Sequence, residues 1–241
     1  MKIDLAILEL TVSRFCHDLI SPIGAVNNGL ELLEDEQDPE LVAEARALAA
    51  RSARRASILL QAYRCALGNA GNQASFGFGE AIKLARDFLE GGRVILAGVP
   101  AMSPSDLPTG FPKLLLVSVI LMSETLARGG DLLLVVDGEG PGAGFRLIAE
   151  GQQIVLAEDY KPLLAANAST ATLDARNVLA YLTGLLAARI RDEDRAWPER
   201  PRTPGISGQR PCLTPGRRSP TDLDCVNKTG SWRSGASFTQ Y

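Results

Sequence analysis

The chain has 241 residues, of which 46% are hydrophobic, enough for a sizeable core in one large domain or two small ones. Its formal net charge of −3 excludes a general attraction to nucleic acid or anionic membrane, so any phosphate chemistry has to be built locally. Cys16, Cys65, Cys212 and Cys225 lie far apart with no C-x-x-C pair, and there is one histidine, which argues against a zinc site, a disulfide framework or metal catalysis.

The opening stretch MKIDLAILELTV carries Asp4 and Glu9 among its apolar residues, unlike a signal peptide, and the longest apolar run, Leu114 to Met122, is too short to span a bilayer. A cytoplasmic location without membrane contact is expected. From Leu5, the residues Leu8, Val12, Phe15, Leu19, Ile23, Val26, Leu30 and Leu33 follow at steps of three and four, the period of a long amphipathic helix. EDEQDPE breaks it, with Asp38 as N-cap and Pro39 at the first position of a second helix, where the missing N–H costs nothing. There Leu41, Ala45, Leu48, Ser52, Ala56, Leu59 and Tyr63 form the stripe, and Arg46, Arg51, Arg54 and Arg55 mark the wet faces. Residues 1–68 therefore read as a helical hairpin. Alone it exposes much of its stripe, so a second copy is expected to complete a four-helix bundle in a homodimer.

Beyond LGNAGNQ the pattern changes. A helix is predicted over Glu80 to Leu89, a strand at RVILAG and a helix over Pro112 to Ala127. DLLLVV and GFRLIAE read as strands joined by the turn DGEGPGAG, with QQIVLA as a further strand and a last helix from Leu173 to about Ile190. Residues 75–191 are thus an α/β sandwich, and the fold class is α+β. From 192 to 241 the chain is proline-rich without a hydrophobic period, and reads as a disordered tail.

The single histidine, His17, lies within FCHDLISPIGAVNNGLELL. At about 100° per residue it is opposite the Leu8, Val12, Phe15, Leu19, Val26 stripe, so it faces water. Arg14, Ser21, Gly24, Asn28, Glu31 and Asp35 fall within about 60° of it and make a polar strip. An exposed neutral imidazole is a good nucleophile toward phosphorus. Asp18 can hydrogen-bond the other ring nitrogen, fixing the tautomer and stabilising the developing cation, and Ser21 can hold a water or phosphate oxygen. Pro22 cannot donate to the carbonyl of Asp18, so the helix should bend beyond the histidine. Gly24 leaves the outer face low enough for another protein to dock.

HDLISPI, residues 17–23, resembles the H-box of the dimerisation and phosphotransfer helices of bacterial sensor histidine kinases. CHDLISPIGAVNNGLELL as a whole is more similar to the ChpT-type histidine phosphotransferases, and DARNVLAYLTGLLAARI is similar to the late helix of their second domain. Ile20 departs from the kinase box, which mostly carries Arg there. His17, Asp18 and Ser21 are thus the expected catalytic residues and Arg14, Ile20, Gly24, Asn28 and Glu31 the expected partner-binding residues, with no metal ligands. The resemblance implies a final strand after the late helix, which RDEDRAWPERPRTPG replaces, so the sheet is expected to lack an edge strand.

A kinase needs an asparagine-rich helix that chelates Mg²⁺ and a glycine-rich loop under adenine. In LLLVSVILMSETLARGG the asparagine places read Val119 and Ser123, and DGEGPGAG sits between two strands with no helix after it, as a hairpin turn would. The second domain resembles a kinase ATP-binding fold that has lost nucleotide chemistry. The implied function is phosphorelay through His17, between the receiver domain of a CckA-like hybrid kinase and CtrA-like and CpdR-like response regulators. The chain itself would bind no cofactor, Mg²⁺ being supplied on the receiver. The alternatives are an ATP-dependent histidine kinase core and a non-catalytic dimeric scaffold.

Overall fold

The computed structural model describes residues 4–35, 37–100, 107–138, 143–157, 159–165, 170–195, 225–227 and 237–240. The two periodic N-terminal segments fold as helices α1 (Leu5–Asp35) and α2 (Pro39–Ala66). Asp38 caps α2 as its sequence position requires, accepting from the Glu40 N–H at 2.9 Å with Pro39 in the first turn. Pro22 lies inside α1 without interrupting it. The hairpin closes tightly at Gly29, which is buried. A Cβ there would stand 3.0 Å from the Ala49 Cβ and 3.1 Å from the Ala45 carbonyl oxygen.

The second half is built around α4 (Phe111–Glu124), in which every residue from Lys113 to Met122 is buried. A helix apolar on all sides has to be covered on all sides. Here α3 (Phe78–Leu89), α2 and α6 (Val178–Arg195) pack round it and the sheet closes the remaining face. Full burial of each such Leu, Ile or Met is worth roughly 1.5–3 kcal/mol, which makes α4 the centre of the core. Gly110 turns the chain into α4 at φ 84°, a left-handed conformation that favours glycine. Phe111 packs against Phe78 of α3 and edge-on against Phe145, at centroid distances of 6.4 and 5.2 Å.

Strand β1 (Val94–Ala97) runs parallel to β2 (Gly130–Asp137), with α4 as the crossover that a parallel pair needs. Strand β3 (Gly144–Gly151) returns antiparallel, pairing Leu132 with Ala149, Leu134 with Leu147 and Asp137 with Gly144. This register puts Leu132, Leu134, Phe145, Leu147 and Ala149 into the core. It also makes DGEGPGAG the connection of a β-hairpin, with residues 139–142 outside the described residues.

Three expectations change. QQIVLA is not a strand: past β3 the chain leaves the sheet, tied by the Val155 N–H to the Thr125 carbonyl at 2.9 Å. The late helix starts at Val178, not near Leu173, because Asp174 takes the N–H groups of Arg176 and Asn177 at 2.7 and 2.9 Å in a capping turn first. It follows a short helix, α5 (Tyr160–Leu164), and continues to Arg195, past the boundary at 191. The tail is not wholly without structure, nor does the sheet lack edge strands. β4 (Cys225–Asn227) runs parallel to β3 at Ala149–Gly151, and β5 (Ser237–Gln240) antiparallel at Phe145–Ile148. An open strand edge is a template for pairing, and segments this short carry no period that sequence could show. The expectation of disorder for the rest of the tail falls outside the described residues.

Gly29→Leu should force the helices of the hairpin apart and lower the unfolding free energy by about 1–3 kcal/mol. Gly24→Ala, where an added Cβ meets nothing within 4 Å, should raise it by up to about 1 kcal/mol through helix propensity. Urea denaturation followed by circular dichroism measures both.

Candidate functional site

His17 sits midway along α1 on the face away from α2, its side chain 84% exposed. Nδ1 lies 3.1 Å from Asp18 Oδ1. An ionised carboxylate only accepts, so this contact is a hydrogen bond when Nδ1 carries the proton, and the lone pair is then on Nε2, toward solvent. The side chain of Asp18 is only 18% exposed. Its Oδ2 accepts from the Tyr63 hydroxyl of α2 and, at 3.1 Å, from Arg14 Nε one turn earlier on α1. Burial alone would push the Asp18 carboxyl up, but the hydrogen bonds from Tyr63, His17 and Arg14 outweigh it and hold the group below the usual carboxylate range. Burial and the neighbouring Asp18 push the Tyr63 hydroxyl well up, so it remains a donor. Beneath it, the Tyr63 ring meets Phe15 edge to face at 5.6 Å, in a cluster with Leu19, Ala56 and Leu59.

Arg14 reaches further. Its Nη2 donates to Glu124 Oε1 at the end of α4, joining the hairpin to the second domain. Burial opposes the charge on Arg14, but Glu124 and Asp18 outweigh it and raise its pKa. Burial raises the Glu124 carboxyl to about 7 against the pull of Arg14. The two shifts look opposed for one ion pair. Glu124 is also beside the Asp18 carboxylate, whereas Arg14 has a carboxylate on each side, so the cation is the better compensated partner.

The residues expected along the polar strip separate accordingly. Ser21, Ile20, Asn28 and Glu31 are exposed, Ile20 at 70%, and the face at Gly24 is open. Arg14 is not on that surface: its side chain is 16% exposed and engaged by Asp18 on its own helix and by Glu124 of the second domain. Arg55 is likewise off the wet face of α2. It stacks 5.0 Å above the Phe88 ring and donates to the Phe88 carbonyl. Tyr63 and Glu124 escaped the sequence reading. The available signals were that Tyr63 falls in the apolar stripe, where a buried tyrosine needs a partner for its hydroxyl, and that Glu124 is the acid that ends an otherwise apolar helix.

Val119, at one of the asparagine places, is fully buried, and the hydroxyl of Ser123, at the other, donates to the Ile120 carbonyl at 2.7 Å.

A family model described as the histidine phosphotransferase C-terminal domain matches residues 78–191. The chain is 35% identical over 188 residues to the protein phosphotransferase ChpT of Brucella abortus (strain 2308), spanning 74% of this chain and 83% of that protein. This chain belongs to the ChpT family. A solved structure titled as a bacterial phosphotransferase superposes with a TM-score of 0.64 at 34% identity, covering 79% of this chain and 90% of that one. As a ChpT-type protein the chain is a histidine phosphotransferase acting in a phosphorelay, with the α+β fold expected for it. Among the described residues, no helix is long and apolar enough to cross a membrane.

The Glu124 carboxyl sits above its ordinary 4.5, at about 7, so the stability it contributes is complete below about 4.5 and is lost as the pH rises through about 7. Arg14 opposes that loss. Arg14→Gln should therefore lower the unfolding free energy by about 1–3 kcal/mol near pH 8, where it strands a mostly buried carboxylate, less than for a fully buried pair. The loss should shrink near pH 5, where the carboxyl takes up a proton; urea denaturation at both values measures the difference.

Proposed function

We propose that His17 Nε2 is the atom that carries the phosphoryl group, taking it from the aspartyl phosphate of one receiver domain and passing it to the aspartate of another. The observation that carries this reading is an imidazole 84% exposed, with Nδ1 against an ionised Asp18 and Nε2 left free. The Nε2 lone pair attacks phosphorus, the P–O bond to the receiver's carboxylate breaks, and that carboxylate leaves. No proton has to move: Nδ1 keeps its hydrogen, and the positive charge gained by the ring is stabilised by Asp18. An acyl phosphate is exchanged for a phosphoramidate, so transfer runs in either direction. Positioning does most of the work.

Ile20, Gly24, Asn28 and Glu31 lie on the face that a receiver would cover, with Ser21 one turn from His17. The expected donor is the receiver of a CckA-like hybrid kinase, and the acceptors are CtrA-like and CpdR-like regulators. Mg²⁺ belongs in this reading to the receiver's own acidic site, and no cofactor is required of this chain, which would work in the cytoplasm beside these partners. Homodimerisation is supported by the stripe the hairpin leaves uncovered: Leu8, Val12 and Leu30 are 50% exposed, Ile23 47% and Leu60 46%. A second copy would bury them in a four-helix bundle and give two symmetry-related His17 sites.

Incubation with a phosphorylated receiver, followed by assay for acid-labile phosphate, tests the reading. His17→Gln should abolish labelling without unfolding the protein. Asp18→Asn should slow it by about one to three orders of magnitude, and Ser21→Ala should do less. ATP alone should label nothing. Labelling of His17→Gln at the wild-type rate would make the histidine a bystander and favour a scaffold; labelling of the wild type by ATP would favour a kinase. Light scattering at micromolar concentration should give the mass of a dimer, and a monomer there would remove the bundle.

A further inference from the structure

The two prongs of one guanidinium are split between two carboxylates. Arg14 Nε donates to Asp18 Oδ2 at 3.1 Å, while Nη2, on the same edge of the guanidinium, donates to Glu124 Oε1. Left to itself, this edge of an arginine grips both oxygens of one carboxylate in parallel. Asp18 is the carboxylate within reach on α1, and a parallel grip would put a second, charged donor on Oδ1, competing with His17 Nδ1, which that oxygen faces at 3.1 Å. Tyr63 shares Oδ2 from the other side and leaves Oδ1 as the contested atom.

We propose that Glu124 is a positioning residue for phosphotransfer: by holding Arg14 Nη2 it prevents Arg14 from closing on both oxygens of Asp18 and so reserves Oδ1 for His17 Nδ1. The second domain thereby acts on the chemistry of the first, through one arginine, with no contact between Glu124 and the imidazole. The inference rests on the reading of His17 as the phosphoacceptor. The surroundings fit the role. Glu124 closes the buried helix α4, so its backbone is fixed by the core, and its side chain is 29% exposed. Among the described residues, the groups that act electrostatically on it or on its partners include Arg14, His17 and Asp18 of α1, Tyr63 and Arg55 of α2 and Tyr160 of α5. Arg14 is the cation among these bonded to both Asp18 and Glu124.

The test uses the full chain and its single histidine, whose ¹⁵N shifts report the ratio of Nδ1–H to Nε2–H tautomers without assignment ambiguity. Glu124→Ala should lower the Nδ1–H share and slow phosphoryl acceptance from a phosphorylated receiver by about 3- to 10-fold, the worth of one hydrogen bond. Glu124→Gln, which keeps an acceptor oxygen but no charge, should fall between Glu124→Ala and wild type. Adding Arg14→Met to Glu124→Ala should restore both readouts toward wild type, because no guanidinium then competes for Oδ1. Slower transfer with an unchanged tautomer ratio would overturn the proposal and leave Glu124 as a tie between domains. A double variant no better than Glu124→Ala would overturn it too. The tautomer measurement needs no phosphate, so it stands apart from the His17→Gln experiment, whose failure would instead remove the phosphoacceptor reading.

Discussion

The carboxylate of Asp18 is the point on which the arrangement turns. One oxygen faces the imidazole and the other is held by Tyr63 and Arg14. Both helices of the hairpin and, through Glu124, the second domain therefore meet at a single side chain. Partial burial makes each of these bonds stronger than it would be in water, and makes an unpaired member costly. The same burial disfavours the charge on Asp18, which is kept because its donors are in place. The imidazole itself remains in water, with its side chain 84% exposed.

The second domain contributes by what it covers. A helix as apolar as α4 has to be enclosed, and the enclosing elements are the sheet, α2, α3 and α6. Val119 and its neighbours are sealed in the core. What α4 offers to chemistry is its end, where Glu124 emerges beside α1. Lys113, near its start, performs a comparable joining role: its ammonium, largely buried, donates to the Gly68 carbonyl at 2.8 Å just past the end of α2. Arg55 on Phe88 adds a third tie between hairpin and second domain. These contacts fix the position of the second domain beside His17, where it engages Arg14 and leaves His17, Ser21, Asn28 and Glu31 exposed.

Much of this was legible in the residues themselves. The three- and four-residue spacing of the apolar positions, the Asp38–Pro39 start signal and the opposition of His17 to the stripe follow from helix geometry, which is local and periodic. The adjacency of Asp18 to His17 guarantees proximity, and the turn at DGEGPGAG follows from its place between two apolar runs. The sequence pattern alone therefore determined the hairpin, the outward histidine, its neighbouring acid and the α+β class. Tertiary structure alone decided that Arg14 is spent inside the protein, that Tyr63 bonds to Asp18 and Glu124 to Arg14, that QQIVLA leaves the sheet, and that short tail segments pair with β3. Each of these depends on which groups far apart in the chain are brought within hydrogen-bonding distance. Arg14 and Glu124 are 110 residues apart and Asp18 and Tyr63 are 45 apart, and no local period encodes a meeting over such separations.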